Sequence, residues 1–309
     1  MKNILVLGGS GFVGRHLIAQ LTREMSSATV PSRRRERAKH LIVFPTVEVV
    51  QADVFDAVAL ERLARGKDAV VNLVGSLHGD LERAHVELPR RVLAACRSAG
   101  VTRLLHMSAL GASADAPSRY LRTKAAGEEA VLAARDLDVT VFRPSVVFGP
   151  EDRFLNMFAC FARFTPVLAV PCPKARFQPV YVGDVARAMV AALDDPEARG
   201  RAYELCGPRE YTLHELVAYA CAVSGHSRLI LDLPDGLSYL QAALLERLPG
   251  PLMSRDNYRS MQKPSVSSGG APLPFGLAPQ ALEALAPGYL APSANLEEHY
   301  SQLRWKARR

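Results

Sequence analysis

The strongest constraint on this chain lies within its first two dozen residues. Ile4–Leu7 is a short apolar run that passes directly into Gly8-Gly9-Ser10-Gly11-Phe12-Val13-Gly14. Phe12–Thr22 then carries Val13, Leu17, Ile18 and Leu21 at helical spacing. Glycines 8, 11 and 14 therefore fall where a strand turns into a helix. At such a place the chain must turn tightly, let a phosphate approach the backbone, and pack helix against strand. The helix N-terminus adds free N–H groups and the positive end of its dipole, which suits a pyrophosphate. A glycine triplet alone is a weak signal; one that ends a strand and opens a helix predicts a dinucleotide site.

The same rhythm continues through the first half of the chain. Apolar runs at Val47–Gln51, Ala69–Val74, Arg103–Met107 and Val139–Phe142 alternate with helical patterns at about Leu81–Ser98 and Tyr120–Arg135. Continuously apolar strands are buried on both faces, so the pattern predicts a Rossmann-type α/β fold, a doubly wound parallel sheet with helices on both faces. After Gly149-Pro150 the pattern changes. Phe154–Phe164 is aromatic-rich, helices are expected at Val185–Leu193, Leu213–Val223 and Leu237–Leu248, and short strands at Ala202–Leu205 and Leu229–Leu231. Pro264 to Pro274 reads as a loop. The expected division is a dinucleotide-binding domain over 1–150 and a smaller mixed α/β C-terminal lobe over 151–309, with elements returning to the core. The leucines of Leu237–Leu248 are expected to bury against that core; exposed, they would face a quinone, a membrane surface or a partner subunit.

Composition removes several other classes. With 49% hydrophobic and 22% charged residues the chain is not disordered. No apolar stretch reaches the roughly 18 residues of a membrane span, and the first run is too short for a signal peptide. A bacterial cytoplasmic protein is expected, with a membrane-peripheral position as the alternative. Five cysteines in no paired spacing argue against a disulfide framework or a metal knuckle. The net charge of +7 is concentrated in Arg33–Lys39 and in the last six residues. The first cluster lacks interleaved aromatics, which argues against a nucleic-acid partner.

That first cluster falls where the cofactor would be chosen. About twenty residues beyond the glycines, at the end of a second strand, an acidic residue takes the ribose hydroxyls of NAD, whereas an arginine accommodates the extra phosphate of NADP. Arg33 and Arg34 stand there, and no acid intervenes before Glu36. NADP(H) is therefore the preferred cofactor, with NAD(H) as the alternative. Asp53-Val54, after the third strand, would face the adenine, although Asp53 is equally placed to cap a helix. Tyr120 and Lys124 form a further pair. Four residues apart on a helix they share a face, and a nearby ammonium would lower the phenol pKa toward neutrality and make it a usable acid or base.

Gly8-x-x-Gly11-x-x-Gly14, Tyr120–Lys124, Arg143–Pro150, Gln178–Ala186 and Tyr203–Pro208 together resemble the extended short-chain dehydrogenase/reductases, the NAD-dependent epimerase/dehydratase superfamily. Within it the chain is most similar to the atypical branch containing the NAD(P)H-binding accessory subunit of respiratory complex I. The likeness covers roughly residues 1–225. It implies that Gly8, Gly11, Phe12, Val13 and Gly14, with Ser10 between them, hold the pyrophosphate, that Arg33 meets the 2′-phosphate, and that Asp53 and Val54 meet the adenine. Leu73, Val74 and Gly75 would line the inner cofactor face with Met107, Lys124 would bind the nicotinamide ribose, and Pro144 and Ser145 would lie near the carboxamide. Tyr120 would be the acid/base. Ser108 is the candidate for the third catalytic position, although the register places Leu110 there. His85 stands where the family carries an asparagine, either as a proton relay or as a helix-surface histidine. Two functions are compatible with this set. One is an oxidoreductase or epimerase acting on a quinone-like or nucleotide-sugar-like small molecule; the other is a non-catalytic NADPH-binding accessory or assembly subunit of a respiratory complex.

Overall fold

The computed structural model describes residues 1–248, 252–269 and 273–292. Its centre is a seven-stranded sheet, all parallel. In chain order come β1 (Asn3–Leu7), α1 (Phe12–Arg23), β2 (Ser27–Ser32), β3 (Val47–Gln51), α2 (Ala57–Ala64), β4 (Ala69–Asn72), α3 (Leu88–Ala99), β5 (Arg103–Met107), α4 (Arg119–Leu132) and β6 (Asp138–Pro144). They are followed by β7 (Val147–Phe148), α5 (Leu155–Phe164), β8 (Val167–Val170), β9 (Arg176–Phe177), β10 (Val180–Tyr181), α6 (Val182–Asp194) and β11 (Arg201–Leu205). The sheet order is β11-β6-β5-β4-β1-β2-β3, with Ile4 beside Ala28 on one flank and Ala69 on the other. The chain thus winds outward both ways from β1, the doubly wound arrangement that opens a crevice at the carboxyl ends of β1 and β4.

Sequence and packing agree on why these elements form. Ile4, Leu5, Val6 and Leu7 are all fully buried, because helices cover both faces. Asp56 caps α2 by accepting from Val58 N and Ala59 N, and α3 stops at Gly100, whose φ of +71° suits glycine. The alternative role of Asp53 as a helix cap therefore passes to Asp56. Asp53 instead closes its own turn by accepting from Phe55 N at 3.1 Å.

The strand foreseen over Ala69–Val74 ends at Asn72, and Leu73 and Val74 leave the sheet to pass beneath the glycine loop. The helix foreseen over Leu81–Ser98 is interrupted by a π-helical turn, Arg83–Glu87, before α3. Residues after 150 contribute both β11, at the sheet edge, and α6, which shares a core with α1. A second core, built from Phe148, Leu155, Leu168, Phe177, Leu213, Leu216 and Leu282, gathers α5, β8 and β9. It also takes in β12 (Tyr211–Thr212), α7 (Leu213–Val223), β13 (Leu229–Asp232), α10 (Leu282–Leu285) and α11 (Pro287–Leu290).

One expectation of burial fails. α8 (Asp235–Leu245) turns Ser238 and Ala242 inward, while Leu237, Leu240, Leu244 and Leu248 remain exposed. The inward face carries small side chains where α8 packs on α9 (Arg255–Met261) and Ser238 bonds to Cys172 N and Leu233 O. The basic residues at 304–309 lie outside the described residues, and no helix among the described residues is long and apolar enough to cross a membrane.

Close packing at the glycine turn generates a prediction. A Cβ on Gly14 would stand 2.5 Å from both Cα and O of Gly9, so the backbone would have to open. Gly14→Ala should cost about 1–3 kcal/mol, the usual range for overpacking, as a lowered urea midpoint at unchanged slope.

Candidate functional site

The expected cofactor residues converge on one edge of the sheet. Gly8 has a φ of +79°, and a Cβ there would meet the carbonyl carbon of Leu73 at 3.1 Å and the amide nitrogen of Val74 at 3.2 Å. The glycine loop thus lies directly on the Leu73–Val74 backbone, in keeping with two parts of one site. Gly11 is the N-cap of α1, with no side chain satisfying the first turn and no acidic residue in it. Those N–H groups and the dipole are left for an anion. Phe12 lies against Gly149, and Ser10 and Val13 are half-buried beside it. Arg33 and Arg34 follow β2 and are exposed, in a turn fixed by Ser32 Oγ donating to Arg34 O at 2.8 Å. Asp53 and Val54 occupy the matching turn after β3.

The second cluster is built on α4. Its N-cap Ser118 accepts from Leu121 N, and Lys124 is buried one turn further on, at 4% exposure. An ammonium out of water needs acceptors, and the Lys124 Nζ donates to Met107 O, at the end of β5, at 3.0 Å. Burial pushes the Lys124 pKa down to about 8, partly opposed by Glu128 one turn along. A Cβ on Gly75 would sit 3.2 Å from that Nζ, so Gly75 and Lys124 face the same space. Ser108, next after β5, is 3% exposed, and its Oγ has no hydrogen-bond partner among the described residues. Leu110 is apolar, 7% exposed, and donates its amide to Pro144 O at 3.0 Å.

Tyr120 differs from expectation in its electrostatics. It is half-buried, and burial pushes its phenol up to about 12. Burial is what acts on the phenol, and the expected lowering by the Lys124 ammonium, which bonds to Met107 O, does not occur. Its hydroxyl makes no hydrogen bond among the described residues. The Ser145 hydroxyl, at the end of β6, donates to Ser265 O at 2.7 Å.

His85 is neither on the helix surface nor free to titrate. It is 2% exposed within the π-helical turn. Ser76 N donates to its Nε2 at 3.1 Å, so the proton is on Nδ1, which lies 2.9 Å from Thr123 Oγ1. Thr123 in turn donates to Tyr120 O at 3.0 Å, and the His85 and Tyr120 rings meet edge to face. Burial and the neighbouring Lys124 charge push His85 down to about 3. The turn fits because α4 carries Gly127 opposite it, where a Cβ would collide with His85 O.

One residue escapes sequence reading altogether. Asp256, on α9, accepts from Arg119 N at 2.7 Å and Tyr120 N at 2.9 Å. A residue 136 positions away thereby satisfies the open N–H groups of the helix that carries Tyr120 and Lys124. No local signal marks it, although the capping box of α9, Ser254 with Asn257, is readable in sequence. Two shallow depressions of about 530 and 510 Å³ lie elsewhere, along β11 and on the outer side of α4, and neither includes the glycine loop or Tyr120.

This geometry generates two predictions. Asp256→Ala should speed amide hydrogen exchange at Arg119 and Tyr120 by about tenfold or more, for the loss of a cap worth about 1 kcal/mol or more, while Lys124 N stays protected. His85 and His106, both pushed down to about 3, resist protons that the unfolded chain accepts near pH 6.5. Stability is therefore full above that pH and falls as the pH drops from 6.5 toward 3. Urea melts between pH 7.5 and 5 should show this slope, reduced by about one proton in His85→Gln.

The fold and site can be set beside known proteins. The chain is 36% identical over 266 residues to the NADH dehydrogenase [ubiquinone] 1 alpha subcomplex subunit 9, mitochondrial, of Arabidopsis thaliana, across 81% of this chain. It spans 65% of that subunit's length, somewhat less than two thirds. It is 33% identical over 245 residues to the ceramide reductase of Caulobacter vibrioides, covering 75% of this chain and 74% of that one. Among solved structures, Pal from Bacillus thuringiensis shares the fold with a TM-score of 0.72 at 18% identity, over 93% of this chain and 98% of that one. Residues 4–206 match the model of the NAD dependent epimerase/dehydratase family. A glycine-lined backbone cradle and an open helix N-terminus fit a nicotinamide dinucleotide, and the chain belongs to the NAD-dependent epimerase/dehydratase family.

Proposed function

We propose that the chain is an NADPH-preferring oxidoreductase that reduces the carbonyl of a small molecule. The observation that carries this reading is Tyr120: a phenol held protonated by burial, its hydroxyl making no hydrogen bond among the described residues, on the same helix as the buried Lys124. A phenol with its pKa near 12 is poorly suited to remove a proton at neutral pH. As a donor to an oxygen gaining negative charge it is well suited. Reduction of a ketone is therefore favoured over the epimerase alternative, and the activity named for the Caulobacter relative, ceramide reductase, agrees.

The nicotinamide, when bound, supplies the hydride. The chain's own part is positioning and proton handling. The first turn of α1 and Gly8–Gly14 would hold the pyrophosphate, and Leu73, Val74 and Gly75 would border the inner face. Lys124, anchored on Met107 O, would hold the ribose, with Pro144 nearby. Ser108 Oγ, lacking a partner among the described residues, would donate to the substrate oxygen beside Tyr120. Arg33 and Arg34, exposed at the end of β2, would take the 2′-phosphate, and Asp53 and Val54 would border the adenine. The 36% identity to a respiratory NADH dehydrogenase subunit supports a second reading, a cofactor-binding accessory subunit without turnover.

Titration with NADPH and NADH, followed by cofactor oxidation against ketone, quinone and nucleotide-sugar acceptors, tests both. Arg33→Ala should weaken NADPH by roughly 10- to 100-fold, the worth of one hydrogen bond to a charged group, and leave NADH nearly unchanged. Tyr120→Phe should lower turnover by about 10²-fold or more with cofactor affinity retained. Equal loss for both cofactors would overturn the phosphate assignment. Tight binding without oxidation of any acceptor favours the subunit.

A further inference from the structure

α8 is amphipathic in the inverted sense. Ser238, which donates to Leu233 O and accepts from Cys172 N, seats the helix from its buried side. Leu237, Leu240 and Leu244, with Leu248 just beyond, point away from the protein at 50–55% exposure. Gln241 Nε2 donates to Ala169 O at 3.2 Å and so holds α8 beside β8. Along β8, Leu168 and Val170 are buried while Val167 and Ala169 face outward, and across from them on β13 stand Leu229 and Leu231, 66% and 52% exposed. Helix and strand pair together present one aliphatic surface. Large apolar side chains outward with serine and alanine inward are the reverse of what water selects.

We propose that this face lies on a lipid bilayer containing anionic headgroups. The charges around it point to that occupant. Asp232 is paired with His214 and Glu246 with Arg255. Arg228 is held by Ala162 O and Asp256 is turned to the N-terminus of α4, which leaves the exposed Arg247 and Arg259 against the carboxylate of Asp235. An aliphatic face rimmed by guanidinium groups matches the acyl boundary and the phosphates above it. Tyr239, 38% exposed at the edge of the face, suits the headgroup level. Protein-binding surfaces depend instead on central aromatics, and leucine is under-represented among their energetic anchors. The proposal is independent of whether the site turns over.

Co-flotation of the full chain tests it, using phosphatidylcholine vesicles with and without phosphatidylglycerol. The chain should float with the anionic vesicles, more weakly with the neutral ones. Leu240→Asp with Leu244→Asp should cut the bound fraction by at least about tenfold, since each acid is costly in the acyl region, with melting temperature and NADPH titration unchanged. Arg247→Glu with Arg259→Glu should weaken binding to the anionic vesicles only. Three results would overturn the proposal. One is no flotation with either vesicle, and another is equal flotation of the double leucine variant. The third is a wild-type dimer that the leucine variant converts to monomer, which would give the face to a second copy of the chain.

Discussion

The arrangement around the candidate site depends on the burial of one ammonium. Lys124 is held almost out of water with Met107 O as its hydrogen-bond acceptor, and its neighbours are what such a charge tolerates. Gly75 has no side chain to crowd it. His85 and His106 are both kept neutral, partly by the Lys124 charge itself. Glu128, one turn along α4, supplies the compensating carboxylate and is itself neutralised by Arg143. A buried charge is costly unless paired, so these identities are coupled. Changing one alters the protonation energetics of the rest.

The same cluster is also held from outside the Rossmann sheet. The segment from Ser254 to Ser268 touches three of its parts in turn. Asp256 caps α4, the aliphatic stem of Lys263 lies over Gly111, and Ser265 receives the Ser145 hydroxyl. Beyond that, Ser267 and Ser268 donate to Glu204 at the end of β11. Helix α4, the β5–α4 loop and the end of β6 are thereby fixed relative to one another by residues more than a hundred positions away. Precision at such a site comes from the packing of its supporting shell as much as from the residues that face the ligand.

The range of each interaction decides how legible it is in the sequence. The glycine turn, the alternation of strands and helices, and the place of Arg33 at the end of β2 are local patterns set by backbone geometry and period, and they can be read directly. His85 is ambiguous in sequence because its burial depends on a π-helical turn and on Gly127 of another helix. The ionisation of Tyr120 is misread for a related reason. Spacing of four residues puts phenol and ammonium on one face, but it does not reveal that Lys124 bonds to a strand end while burial dominates the phenol. The hydrophobicity of the α8 leucines suggests burial, whereas the direction a helix faces is decided by what it packs on. Asp256 carries no signature at all, because the donors it satisfies belong to a distant helix.

Cofactor occupancy does not separate the two functional readings, since any ligand of the folded state stabilises it whether or not it reacts. Unsatisfied polar groups separate them better. A buried hydroxyl without a partner costs about 1–3 kcal/mol, and Ser108 Oγ is such a group. The hydroxyl of Tyr120, a half-buried side chain in the first turn of α4, also makes no hydrogen bond among the described residues, but it is not among the buried unsatisfied groups. A chain with no use for the Ser108 hydroxyl could carry alanine there and gain stability. A buried hydroxyl without a partner among the described residues is reasonable where a ligand arrives to use it. Under the proposed reduction, the substrate oxygen would be such a ligand.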